Sequence, residues 1–259
     1  MIYRSAIIAP RGRRSAESLM PLGVRSFLSM RVGSVVRGLA FVMAALILSS
    51  ANAVYAVDHK VEPSDAAPPK EALTPAIADL LGGPSFRVVR GASRVVCEVW
   101  LCKEWAIAAD AKPKGDVLYP FQPGQVIGAV RYPRKASDFR DQVVADGVYT
   151  LRYGQQPVDG AHVGTSPIRD FLVLIKASDE QSAEPLDYKT LAKKSAAAAG
   201  SNHPLLLSLQ RTEAADTPLS IRHNEQAEWW IVHVVGSAKT GDKAAKQPLD
   251  LVVVGHASD

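Results

Sequence analysis

Cysteine is almost missing from this chain. Its 259 residues include two, Cys97 and Cys102, both in the segment VVCEVWLC. Their spacing is not that of a metal pair. In a regular strand they point to opposite faces, with Cα atoms about 16 Å apart, far outside disulfide range. They read as free, buried thiols. A bridge would need a turn between them, and an oxidising compartment would then favour it. Long apolar runs are lacking too. The longest, LAFVMAALIL at residues 39–48, is well short of the roughly 20 residues that span a bilayer. GxGxxG, P-loop, HExxH and GxSxG patterns are absent, so no nucleotide cradle, zincin or hydrolase elbow is written in the sequence. There is no internal repeat and no heptad pattern.

Positive charge is scarce where the chain folds. The formal net charge is +4, but residues 1–53 hold seven of the 30 basic residues and one of the 26 acidic ones. The remainder has 23 basic and 25 acidic residues, a net of −2. A nucleic-acid footprint is therefore not expected.

The basic N-terminal part reads as an export signal. Met30, Arg31 and Arg37 make a positive n-region, residues 39–48 an h-region, and Ala51-Asn52-Ala53 and Val54-Tyr55-Ala56 offer cleavage-compatible small residues. Translation starting at Met30 would give an ordinary signal length. The expected organisation is a signal region over residues 1–56, a polar Pro-containing linker over 57–73, and one domain over 74–259. Localisation follows as exported, in the periplasm, cell envelope or extracellular space. The membrane is met only through an uncleaved signal segment.

The domain reads as mainly β. Val148 to Tyr153 alternates apolar and mixed residues, and residues 171–175 are apolar on both faces, which suits a covered strand. Further strands are expected at residues 85–90, 94–101, 125–132, 138–144, 205–209, 228–235 and 249–254, separated by turn signals such as Pro123-Gly124 and Asp146-Gly147. A short helix is expected over residues 75–81, with Thr74 as N-cap and Gly82-Gly83 as its stop. A longer one is expected over residues 186–200: Asp187 caps it, Leu186 and Leu191 have staple spacing, and Gly200 ends it. Many short strands with two helices imply an antiparallel β-sandwich, jelly-roll-like, with one or two packed helices.

GVYTLRYG at residues 147–154, P-x-D-G-x-H-x-G at 157–164, P-x-R-D-F at 167–171 and Ser-Asn-His-Pro at 201–204 form a set. With the Trp100-Leu101 strand and the LVVVG strand at 251–255, the set resembles a family of uncharacterised exported bacterial proteins over about residues 75–256. The resemblance implies export and a single domain. It assigns no chemistry.

Candidate site residues gather in the loop between the strands at 148–153 and 171–175. Asp159, His162, Arg169 and Asp170 lie there, and His203 follows a later turn. Imidazoles with a carboxylate can hold a divalent metal while leaving positions for water, so His162 and His203 are metal candidates. The plainer reading makes Asp159-Gly160 a turn and Arg169-Asp170 an ion pair at the strand entrance. Among the other histidines, His233 lies in an apolar strand and reads as a hydrogen-bonded core residue. Trp229 and Trp230 must point to opposite faces, so one of them, Trp230 being the candidate, could stand exposed to a sugar ring or be covered by the helix from Tyr188. The leading function is an envelope-associated binding module for an envelope component or carbohydrate. The alternatives are a metal-binding protein or metal-dependent hydrolase at His162 and His203, and a membrane-anchored structural protein.

Overall fold

In a computed structural model of the chain, residues 58–158 and 166–257 are described. The predicted signal region and the loop residues Asp159 and His162 lie outside them. Thirteen strands are present: β1 (His59–Pro63), β2 (Leu81–Arg90), β3 (Arg94–Cys102), β4 (Trp105–Ala106), β5 (Val126–Tyr132), β6 (Ala136–Ser137), β7 (Val143–Val144), β8 (Gly147–Gln155), β9 (Asp170–Lys176), β10 (Leu205–Gln210), β11 (Leu219–Asn224), β12 (Trp229–Thr240) and β13 (Lys243–Val254). Two α-helices join them, α1 (Pro75–Ala78) and α2 (Tyr188–Ala199).

The strands form a curled sheet in the order β1-β2-β3-β5-β8-β9-β10-β13-β12-β11. Its pairs are antiparallel except for β4, which lies parallel on β12. The sheet folds over on itself as a β-sandwich, and the turning point is β10. Residues 205–208 of that strand pair with β9, whereas Leu209 and Gln210 pair with β13. The core lies between the layers: Phe86, Val99, Leu101, Leu151 and Leu172 from one, and Val232, Val234, Leu249 and Leu251 from the other.

The fork left where β10 changes partners is filled by the β6–β7 hairpin. Phe139 donates its N–H to the Leu206 carbonyl at 2.7 Å and accepts from Ala257 N at 2.8 Å. Asp138 accepts from the backbone N–H groups of Arg140, Gln142 and Leu206 and from the Gln142 side chain, at 2.8–3.1 Å. Burial pushes its carboxyl up, and these four donors oppose that. Of the strand expected over residues 138–144 only β7 forms, and residues 138–142 are a turn between β6 and β7, because Asp138 organises a local loop instead of extending the pairing.

At the far ends of the sheet, β1 comes against β11 and β2 against β12. Trp230 lies in this seam, its ring centroid 4.8 Å from that of His59 and 4.4 Å from that of His223, the latter nearly parallel. It is neither freely exposed nor under a helix. Trp229 packs on the other face with Phe139, Phe171, Ile231 and Val252.

Three other expectations change. Residues 59–63 of the expected linker form β1, which pairs with β2 in register Glu62↔Arg87. Arg87 lies 2.7 Å and Lys60 2.9 Å from Glu62, and these two cations hold the Glu62 carboxyl below its usual range. The following residues cover Trp100, whose indole N–H donates to the Ala66 carbonyl at 2.8 Å. Helix α1 ends at Ala78, and Thr74 makes no side-chain capping bond. Gly82 and Gly83 belong to β2, where a Cβ at Gly83 would stand 2.1 Å from the Cys102 carbonyl oxygen. Helix α2, by contrast, matches its signals. The Asp187 carboxylate accepts from Thr190 N, and Gly200 closes the helix at φ 65°. Leu191 is buried against Val173 and Ile175, with Leu186 in the same cluster. Cys97 and Cys102 are free and buried, as expected.

Candidate functional site

The loop-bearing end of β8 and β9 is where Arg169 and Asp170 part company. They are neighbours in sequence, so their side chains leave on opposite sides of the strand entrance, and they do not pair with each other. Asp170 is fully buried. It accepts from Tyr153 Oη at 2.5 Å, Leu118 N at 2.8 Å and Tyr119 N at 3.2 Å. Burial pushes its carboxyl up against these hydrogen bonds, and nearby Asp116 adds to the rise. The Tyr153 and Tyr119 hydroxyls are also pushed up, chiefly by burial. Asp170 therefore anchors the segment at 118–119 against the sheet and is closed to a ligand.

Arg169 faces a cavity. Its Nε donates to the Gln156 carbonyl at 2.7 Å, and Nη1 lies 3.6 Å from the half-exposed Asp116, outside hydrogen-bond range. Among the described residues, the Nη groups have no hydrogen-bonded acceptor. The cavity measures about 320 Å³ and opens to the surface between the end of β8 and the head of α2. Pro123, Gly154, Pro157, Leu186 and Leu191 supply apolar walls, and Arg169 is its one formally charged lining residue. Tyr188 lines it 60% exposed, and Val158 follows the lining residue Pro157 at 83%, so exposed apolar surface lies beside the opening.

The floor is held from below by Arg152. This β8 residue has no exposed surface. Its guanidinium donates to the carbonyl oxygens of Gly124 at 2.7 Å, Ser182 at 2.6 Å and Glu184 at 2.8 Å. Those bonds clamp the chain entering α2 onto the Pro123-Gly124 turn. Gly124 is required there: its φ is +83°, and a Cβ would fall 1.9 Å from the Leu186 carbonyl oxygen. At Gly154 the close approach is within the sheet: a Cβ would stand 2.8 Å from Val173 Cγ2 of β9, while Leu191 Cδ2 of the helix is at an ordinary 3.7 Å.

The remaining candidates are elsewhere. His203 is exposed in the turn before β10. Antiparallel register sets Leu205 opposite Leu174 and Ser208 opposite Phe171, so His203 sits at the opposite end of β9 and β10 from Arg169 and Asp170. Asp159 and His162 lie outside the described residues. Among the described residues, no group of three His, Cys, Asp or Glu side chains is arranged to hold a metal. Trp230 is in the seam described above. His233 is a buried, hydrogen-bonded residue: its Nδ1 lies 2.6 Å from Asp250 Oδ1, and Arg222 Nη1 reaches Asp250 Oδ2 at 2.5 Å. The Ser166 and Ser208 hydroxyls lie 3.0 Å apart.

Sequence reasoning placed Arg169 in the candidate set but missed Tyr188, Pro123, Gly154 and Leu186 as its company. An aromatic residue at the first exposed position of a capped helix, two residues after a leucine, was the available signal.

Comparison of the chain with protein-family models, with curated proteins and with solved structures finds no match in any of the three.

Proposed function

We propose that the protein is an exported, non-enzymatic binding module that seats a small organic anion in the cavity at the head of α2. The observation behind this reading is Arg169. A side chain three-quarters covered, whose Nη groups have no hydrogen-bonded acceptor among the described residues, faces a cavity whose other lining residues are apolar or uncharged, Gln155 and Gln156 among them. Such a cation favours an anionic group that can take two parallel N–H bonds. Apolar walls with few convergent polar groups are the usual make-up of a small-molecule site. The volume, about ten waters at ~30 Å³ each, suits a compact ligand. A carbohydrate fits less well, because buried hydroxyls need partners, and the Gln155 side-chain amide already donates to Tyr153 Oη at 3.2 Å.

The test is a fluorescence titration with anilinonaphthalene sulfonate, an apolar aromatic anion. Saturable binding to the wild type that weakens at least tenfold in Arg169→Gln supports the reading. Equal binding by both proteins, or none by either, rejects it. Intact mass of the exported protein tests the localisation: a chain starting at Val54 or Val57 shows cleavage, and an uncleaved chain shows an anchor.

A further inference from the structure

The cavity under Arg169 does not stand alone. Pro123 also walls a second open cavity of about 510 Å³, which Ala106, Ile107, Ala111, Pro120 and Phe121 line on its other sides. No charged side chain lines this second cavity. Its Phe121 wall is preformed. The ring is buried, with centroids 5.2 Å from Trp105, 5.8 Å from Tyr119 and 5.6 Å from Tyr153. Trp105 is itself fixed, since its indole N–H donates to the Ile127 carbonyl at 2.9 Å. The two cavities thus flank one proline, with a cation at one end and only apolar or neutral groups at the other.

From this asymmetry we infer that the two cavities form one elongated site for a free fatty carboxylate. The inference rests on the binding reading above and adds the ligand class. The carboxylate sits on Arg169, whose two Nη groups match a bidentate acid while Nε stays on the Gln156 carbonyl. The acyl chain crosses Pro123 and lies along Phe121 and Ile107. A chain without hydroxyls brings no polar group of its own that needs a partner in the second cavity. It also covers apolar surface there that is now open to water, which is the favourable contribution. Tyr188 closes over the head from the rim. The cation sets the direction. Lys112 and Lys114 are exposed on the loop beyond Ala111 and are not part of either lining.

The experiment is calorimetric titration of the purified protein with saturated carboxylates from hexanoate to hexadecanoate, each below its aggregation concentration. Affinity is expected to rise about fourfold per added methylene until both cavities are filled. Ala111→Trp, a partly exposed position that fills the second cavity, should flatten the rise beyond the medium-length acids and leave hexanoate binding unchanged. Arg169→Gln should weaken all lengths by a similar factor, while Lys112→Gln with Lys114→Gln should change none. A plateau at octanoate in the wild type, with Ala111→Trp indistinguishable from it, overturns the elongated site and leaves the small-anion reading intact. Loss of binding in the lysine variant but not in Arg169→Gln overturns the assigned direction. Failure of every acid to bind, together with equal anilinonaphthalene sulfonate binding by wild type and Arg169→Gln, overturns both readings.

Discussion

Arg152 and Glu180 form an ion pair that water does not reach on either side. Nε and Nη2 of Arg152 lie 2.9 and 2.5 Å from Glu180 Oε2, and both side chains are buried. Glu180 Oε1 is buried without a hydrogen-bond partner, so the carboxylate depends on one guanidinium. The same guanidinium holds three carbonyls beneath the proposed site. Stability and ligand seat therefore share a residue.

Arg152→Met should cost about 3–5 kcal/mol, because it strands a buried carboxylate and three carbonyl oxygens. Urea unfolding measures this. Arg152→Met with Glu180→Met should recover part of the loss, since the uncompensated charge is gone, but the carbonyls remain unpaired. Recovery to wild-type stability would mean that the three carbonyls find other donors.

Gly124→Ala should be destabilising by about 1–3 kcal/mol from the left-handed backbone alone, with the Leu186 contact added to it. The chain entering α2 must move away from the turn. Anilinonaphthalene sulfonate affinity should fall with stability in this variant. Gly115→Ala, also at positive φ but with nothing near its Cβ, should show the backbone cost and leave binding unchanged.

Both thiols should be inert in the folded protein. Burial pushes Cys97 and Cys102 up to about 12, and the thiolate is the reactive form. A chromogenic disulfide reagent at pH 8 should label neither residue in buffer and both in guanidinium chloride. Fast labelling of one thiol under native conditions would show that β3 opens locally.

The pH dependence follows from Asp170. Unfolded, it titrates near the ordinary value of 3.8; folded, it titrates higher because burial disfavours its charge. Between those two values the native state binds more protons than the unfolded chain, so the contribution of this group to stability grows as pH falls. Unfolding free energies of wild type and Asp170→Asn should therefore shift in favour of wild type between neutral pH and about pH 4. A shift in the opposite direction would mean that the three donors on the carboxylate outweigh its burial.

Much of the fold was legible where the signal is local. Asp187, Gly200 and the leucines at 186 and 191 mark α2 because a cap, a left-handed terminus and a staple each lie within one turn. Alternation marked β8, and short apolar runs between turn signals marked β3, β5 and β9, for the same reason. What was not legible depends on distance along the chain. β1 is short and polar, and it becomes a strand through Arg87, far away in β2. Arg152 sat on the mixed face of an alternating strand, and nothing near it announces that the loop at 180–184 buries it. Asp138 looks like part of a strand until the four donors that turn the chain around it are seen. The site was half visible: Arg169 was noted as a charge at a strand entrance, while the apolar walls come from three separate segments that only tertiary packing assembles.

The division of labour at β10 also sets an order of events during synthesis. The first layer, through β9, precedes residue 205, whereas its cover of β11, β12 and β13 ends only at Val254. Until β12 and β13 leave the ribosome, the row of Phe86, Val99, Leu151 and Leu172 lacks a complete opposing face, and the seam between His59 and Trp230 cannot close before residue 230 has emerged. Non-local pairing of this kind is slow to form. Closure of the sandwich thus waits until nearly the whole chain has been made.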